Sequence, residues 1–197
     1  MTAKSSQAIG EYLRSSSQTM LRTSTECAGD AALAAEALIK ALKNGGKVLI
    51  CGNGGSAADS QHIATELMSS LDNREGRPAL PAIALTTDTS FITAHSNDFH
   101  FDNIFARQVE ALGRPGDVLI GLSTSGNSKN VVRAVERANV MGLLTVGFTG
   151  QPGGKVAEIS KIALRVPSKK TSHVQEAHSA LYHAICFAVE ESIFAKT

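Results

Sequence analysis

Five short apolar runs set the pattern of the chain: KVLIC (47–51), PAIAL (81–85), DVLIGL (117–122), LLTVGF (143–148) and KIALRV (161–166). Each is nearly continuous in Val, Ile, Leu and Ala, without the alternation of a strand that faces water on one side. Strands covered on both faces, as in a parallel sheet, read this way. Four of the runs lead into a turn and then a stretch of helical character, which gives repeated βα units. Ahead of the first run the chain is helical in pattern. Its clearest segment, AALAAEALIKALKNGG, ends in Lys43-Asn44-Gly45-Gly46, a good helix stop. After the last run, Gln175 to Phe194 contains neither Gly nor Pro and predicts one long helix.

No internal repeat, linker or low-complexity tract interrupts this order. The predicted fold is α/β: a three-layer α/β/α sandwich with a five-stranded, mostly parallel, flavodoxin-like sheet and extra helices at both ends. It forms one domain over 1–197, with N-terminal helices at about 5–45, an α/β core at about 46–167 and a C-terminal helix at about 173–195.

Composition narrows the function classes. The 197 residues are 43% hydrophobic and 19% charged, with a formal net charge of +1. So neutral a balance provides no general attraction for nucleic acid or an anionic membrane, so neither is an expected partner. Any anionic ligand must be held by a local site. The three cysteines, Cys27, Cys51 and Cys186, are odd in number and widely spaced, and read as free thiols of a reducing compartment. No apolar run approaches the roughly 20 residues needed to span a bilayer. The N-terminus lacks the apolar region of a secretory signal, so a cytoplasmic location is expected.

Ligands of an open parallel sheet bind beyond the carboxyl ends of the strands. Three segments are therefore candidates to line one crevice: 52–56, 86–98 and 123–128. The first, Gly52-Asn53-Gly54-Gly55-Ser56-Ala57, fits a loose G-x-G-x-x-A dinucleotide fingerprint. That fingerprint also wants an acidic residue at the end of the second strand. Asp72 has the spacing but precedes PAIAL, and Asp88 is too distant. No Gly-Lys-Ser/Thr follows either, which argues against a P-loop and against nucleotide binding.

Ser123-Thr124-Ser125-Gly126-Asn127-Ser128, between a strand and a helix starting near Lys129, places four hydroxyls around a glycine. Backbone N–H groups, the helix dipole and the hydroxyls together suit one phosphomonoester. Simple N-capping by Ser128 would use one hydroxyl and leave three unexplained. His62 and Glu66, at i and i+4, project from one helix face. Gln175 and His183, eight residues apart, lie within about 80° of a common face. These four could bind zinc, or Glu66 and His183 could form an acid/base pair. Either pair alone also fits a solvated helix face, and spacing alone does not make the two helices meet.

The segments GNGGSAADSQHIATE, S-N-D at 96–98, STSGNS, GFTG and VQEAHSALYH, taken in order, resemble the sugar isomerase (SIS) domain and, within it, the phosphoheptose isomerases. The resemblance runs from about Ile9 to Phe194. It implies interconversion of sedoheptulose 7-phosphate and D-glycero-D-manno-heptose 7-phosphate through a cis-enediol, the entry to heptose for lipopolysaccharide core and related glycans. It also implies substrate contacts at Asn53, Gly54, Gly55, Ser56, Glu66, Asn97, Asp98, Ser123, Thr124, Ser125, Ser128 and Gln175. The hydroxyl residues of STSGNS, Ser123, Thr124, Ser125 and Ser128, would hold the phosphate. Zinc, one ion per subunit, would be held by His62, Glu66, Gln175 and His183. Glu66 as base and His183 as acid would form the catalytic pair, in a homotetramer with sites at subunit interfaces.

Three rivals follow from the same family. A related tetrameric SIS protein binds the bacterial replication initiator without catalysis, but its pattern lacks the glutamate and final histidine present here as Glu66 and His183. A regulatory phosphosugar-sensing SIS domain usually accompanies a second domain. An SIS isomerase of another sugar phosphate shares the phosphate cradle, which does not specify chain length. Among other residues, Gln108 and Glu110 are expected on a helix near the site. Arg74 and Arg77 are expected at the amino end of PAIAL, away from the crevice.

Overall fold

The continuous apolar runs become five parallel strands because both faces of each are covered. In a computed structural model, which describes residues 2–71 and 76–194, these are β1 (Val48–Gly52), β2 (Ala82–Ala84), β3 (Val118–Ser123), β4 (Leu144–Thr149) and β5 (Ile162–Arg165). Their order is β2-β1-β3-β4-β5, and every pairing is parallel. Alternate side chains of one strand serve opposite layers. Val48 and Ile50 enter one core with Val118, Ile120 and Leu122, while Leu49, Cys51 and Leu119 enter the other. This double burial removes the polar face from the sequence pattern.

The helices are α1 (Thr2–Glu26), α2 (Ala28–Lys43), α3 (Gly55–Met68), α4 (Thr89–Asp98), α5 (Ile104–Leu112), α6 (Lys129–Val140), α7 (Gly154–Ile159) and α8 (Thr171–Phe194). The first core packs Leu38, Ile63, Leu67, Ala177, Ile185 and Val189 of α2, α3 and α8 against the sheet. The second uses Phe105, Val109, Val131 and Val135 of α5 and α6. The three-layer sandwich is as the sequence predicts.

Two boundaries differ from the sequence reading. PAIAL contributes only Ala82–Ala84 to the ladder, because Pro81 has no N–H and instead accepts from the Val48 N–H at 3.0 Å. The segment 86–98 is largely helix rather than loop: Asp88 Oδ1 accepts from the Phe91 N–H at 2.9 Å and caps α4. Asp72 and Arg74 lie outside the described residues.

Strand order reverses between β1 and β3, so the chain leaves these neighbouring strands toward opposite layers. The crevice this creates lies at their carboxyl ends, where the glycine and serine loops begin.

Candidate functional site

The loop after β1 is shaped by close approach. Gly54 sits at φ 56°, ψ −119°, a conformation that suits glycine, and opens α3. A Cβ on Gly55 would collide with the Gln175 side-chain amide. The first turn of α3 is thus pressed against α8. Ser56 is buried, and its carbonyl accepts from the Ser60 hydroxyl at 2.8 Å.

Across the crevice the hydroxyls converge. Ser123 Oγ lies 3.0 Å from Ser128 Oγ and 3.4 Å from Ser125 Oγ, and it accepts from the Ser128 N–H at 3.4 Å. The Ser125 hydroxyl accepts from the Asn127 N–H at 3.2 Å. Ser128 is the N-cap residue of α6 but makes no side-chain capping bond, so its hydroxyl is turned into the cluster. Gly126, at φ 68°, lies so close to the Gly153 carbonyl that no Cβ would fit.

The two loops are tied together. Asn53 and Asn130 exchange amide hydrogen bonds of 2.9 and 2.8 Å, and Asn130 Oδ1 also accepts from the Val131 N–H at 3.0 Å. Asn130, 2% exposed, escaped the sequence reading because a lone Asn in the first turn of a helix carries no distinctive pattern.

The helices α3 and α8 bring the second chemistry together. His62 Nε2 lies 2.9 Å from Glu66 Oε1 and 3.4 Å from His183 Nε2. One ligand atom from each of the three residues lies within 4.8 Å of the others. Two imidazole nitrogens and a carboxylate at this separation match the donor set of a zinc centre with an open position. Gln175, two turns before His183 on α8, sits beside Gly55 instead, roughly 12 Å from His183 along the helix axis.

His62 is itself held from behind. The Tyr182 hydroxyl lies 2.9 Å from His62 Nδ1 and accepts from Ser179 Oγ at 3.2 Å. Asp59 adjoins the same hydroxyl, and burial pushes its carboxyl above the usual carboxylate range. Burial, aided by the Asp59 charge, also raises the Tyr182 phenol. Such partners fix which ring nitrogen of a metal-binding histidine is free. Tyr182 was legible only as the neighbour of His183.

Other expected residues stand apart. Asn97 and Asp98 are exposed at the end of α4, joined to each other by a 2.9 Å hydrogen bond. Gln108 donates to the Leu85 carbonyl at 2.9 Å, at the end of the β2 segment. Glu110 is a surface residue paired with Arg137 at 2.6 Å and Arg107 at 3.0 Å, which hold its carboxyl below the usual range. His178 is fully buried, contacts the Thr149 carbonyl through Nε2 at 3.2 Å, and is pushed down to about 4 by burial.

With this geometry in place, the comparisons are direct. The SIS domain family model matches residues 11–150. The phosphoheptose isomerase of Aquifex aeolicus is 57% identical over 153 residues, 78% of this chain and 79% of that protein. That of Roseiflexus sp. is 52% identical over 160 residues, 81% and 80% of the two. Among solved structures, the phosphoheptose isomerase of Francisella tularensis matches with a TM-score of 0.92 and 39% identity, covering 95% of this chain and 98% of that one. That of Neisseria gonorrhoeae gives 0.89 and 41%, covering 94% and 98%. The chain belongs to the SIS domain family and, within it, to the phosphoheptose isomerases.

Proposed function

We propose that this protein interconverts sedoheptulose 7-phosphate and D-glycero-D-manno-heptose 7-phosphate, with Glu66 as base and His183 as acid. The observation that carries the residue assignment is the meeting of Glu66, His62 and His183 between α3 and α8. A carboxylate and an imidazole side by side are what an aldose–ketose isomerisation needs.

From the ketose, Glu66 accepts a proton from C1 while the His183 imidazolium donates one to the C2 carbonyl oxygen. The product is a cis-enediol. His183 then takes the proton from the C1 hydroxyl as Glu66 returns its proton to C2, leaving an aldehyde at C1. Protons balance, and both side chains end as they began. The hydroxyls of Ser123, Thr124, Ser125 and Ser128 and the N-terminus of α6 hold the 7-phosphate. Asn53, Gly54, Gly55, Ser56, Asn97, Asp98 and Gln175 are assigned to the sugar.

His62, Glu66 and His183 would hold one zinc ion per subunit, with Glu66 and His183 free of it when they act as base and acid; Gln175, the fourth ligand the resemblance implies, lies beside Gly55 instead. When bound, zinc polarises carbonyl and hydroxyl oxygens. Tyr182 fixes the His62 ring so that Nε2 faces the cluster.

His62 and Glu66 lie seven and eleven residues beyond Gly55, roughly 10 and 16 Å along α3. That separation from the crevice supports a site completed by a neighbouring copy in a homotetramer. So does an apolar groove of about 370 Å³ between the N-terminal helices and α8, lined by Met20, Ala31, Ala35, Leu181 and Ile185. Leu13 and Leu21, also on α1, are exposed apolar residues.

Cys27, Cys51 and Cys186 are buried free thiols, which supports a cytoplasmic location. No helix among the described residues is long and apolar enough to cross a membrane. We assign the product to heptose supply for lipopolysaccharide core and related glycans. Metal analysis of protein purified without chelator, beside an assay of heptose 7-phosphate formation, tests the reading. About one zinc per chain and turnover are expected; fully active, metal-free protein would remove zinc from it.

A further inference from the structure

The helices α3 and α8 run side by side in the same direction. Gly55 meets Gln175, His62 meets Tyr182 and His183, and Ser70 and Leu71 meet Glu190, a sequence offset of 119–121 throughout. The metal-type cluster therefore lies between two fixed ends. At one end is the close Gly55–Gln175 contact. At the other is a buried ion pair, Arg77 Nε to Glu190 Oε2 at 3.0 Å, with side chains 2% and 3% exposed.

Arg77 does more than neutralise Glu190. Its Nη2 donates to the Glu66 carbonyl at 3.0 Å, and its Nη1 to the carbonyls of Leu67 at 2.9 Å and Ser69 at 3.2 Å. These carbonyls belong to the last turn of α3 and its C-cap residue Ser69, where no intrahelical donor remains. Glu190, two turns beyond His183, also accepts from the Leu71 N–H at 3.2 Å and the Ser70 hydroxyl at 3.2 Å. The planar fork of arginine suits this combined role; a lysine ammonium does not reproduce it.

We propose that Arg77 and Glu190 are positioning residues: they lock the register of α3 against α8 and so set the spacing of His62, Glu66 and His183. A buried ion pair is a poor source of net stability compared with a well-packed apolar pair, and its best-attested use is to specify register. Here that register runs through the backbone of Glu66 itself. The inference rests on the zinc and proton roles proposed for the cluster.

The test compares wild type with Arg77→Lys, Glu190→Gln and the apolar double variant Arg77→Met/Glu190→Leu. Each is read by zinc affinity in competition with a chromophoric chelator, by thermal midpoint, and by kcat and KM for sedoheptulose 7-phosphate. Arg77→Lys and Glu190→Gln keep side-chain length, so they report even if the double variant does not fold. In every folded variant, zinc affinity is expected to fall by about tenfold to a hundredfold. We expect kcat to fall by about tenfold or more, and KM to stay within about twofold because the phosphate loop is built on β3 and α6. Folded variants with a changed thermal midpoint but wild-type zinc affinity and kcat would overturn the proposal. Glu66→Gln is measured alongside. If it abolishes turnover while the clamp variants behave as wild type, only the clamp is lost. If wild type binds no zinc and its turnover ignores Glu66, the cluster reading falls and the clamp falls with it.

Discussion

Ser123 shows how one side chain can organise a ligand site. It is 3% exposed, touches the hydroxyls of Ser125 and Ser128, and receives the Ser128 N–H. Its hydroxyl is preorganised at the mouth of α6, where a phosphate would collect charge-assisted hydrogen bonds. Ser123→Ala removes one donor to a dianion and loosens two others. Since a hydrogen bond to a charged group contributes about 1.5–3 kcal/mol, KM for the sugar phosphate should rise by roughly tenfold to a hundredfold. The kcat should change little, because the phosphate is bound equally in ground and transition states. Steady-state kinetics check this; a fall in kcat at constant KM would assign Ser123 to the chemistry instead.

At the scale of elements, the serine loop at 123–128 depends on contact with its neighbour. The Gly126 carbonyl accepts from the Val156 N–H at 2.8 Å, and Gly126 meets the Gly153 backbone where a Cβ would sit. Gly126→Ala should lower stability by more than about 2 kcal/mol, through a positive-φ penalty and a backbone clash together. Thermal unfolding measures it, and a variant as stable as wild type would show that the loop relaxes freely. The strands and this loop were readable in sequence because burial on both faces and a hydroxyl-rich turn leave local patterns. The pairing of Asn53 with Asn130, of His62 with Tyr182, and of Arg77 with Glu190 joins residues 77 to 120 positions apart. No local pattern encodes such meetings. Arg77 does lie at the amino end of the β2 segment as expected, but its task there came only from the packing of α3 on α8. The segment 86–98 reads as loop in the sequence because a short exposed helix such as α4 has no apolar face to announce it.

For the whole molecule, the buried His178 links stability to pH. Burial holds it neutral and pushes it down to about 4, against an ordinary value of 6.5. The unfolded chain therefore binds this proton first, so the contribution is complete above pH 6.5 and is lost as pH falls toward 4. Between pH 7 and pH 5 the loss should be roughly 2 kcal/mol. Urea unfolding at the two pH values gives the difference, and His178→Leu should shrink it. An unchanged difference in that variant would place the acid sensitivity elsewhere.

The most direct test of the account as a whole is conversion of sedoheptulose 7-phosphate followed by NMR, with wild type and Glu66→Gln compared in the presence of zinc. The account predicts turnover by wild type and a loss of about a hundredfold or more in kcat for the folded variant, the scale of a general base removed. No heptose 7-phosphate from wild type, or equal rates from both proteins, would contradict it.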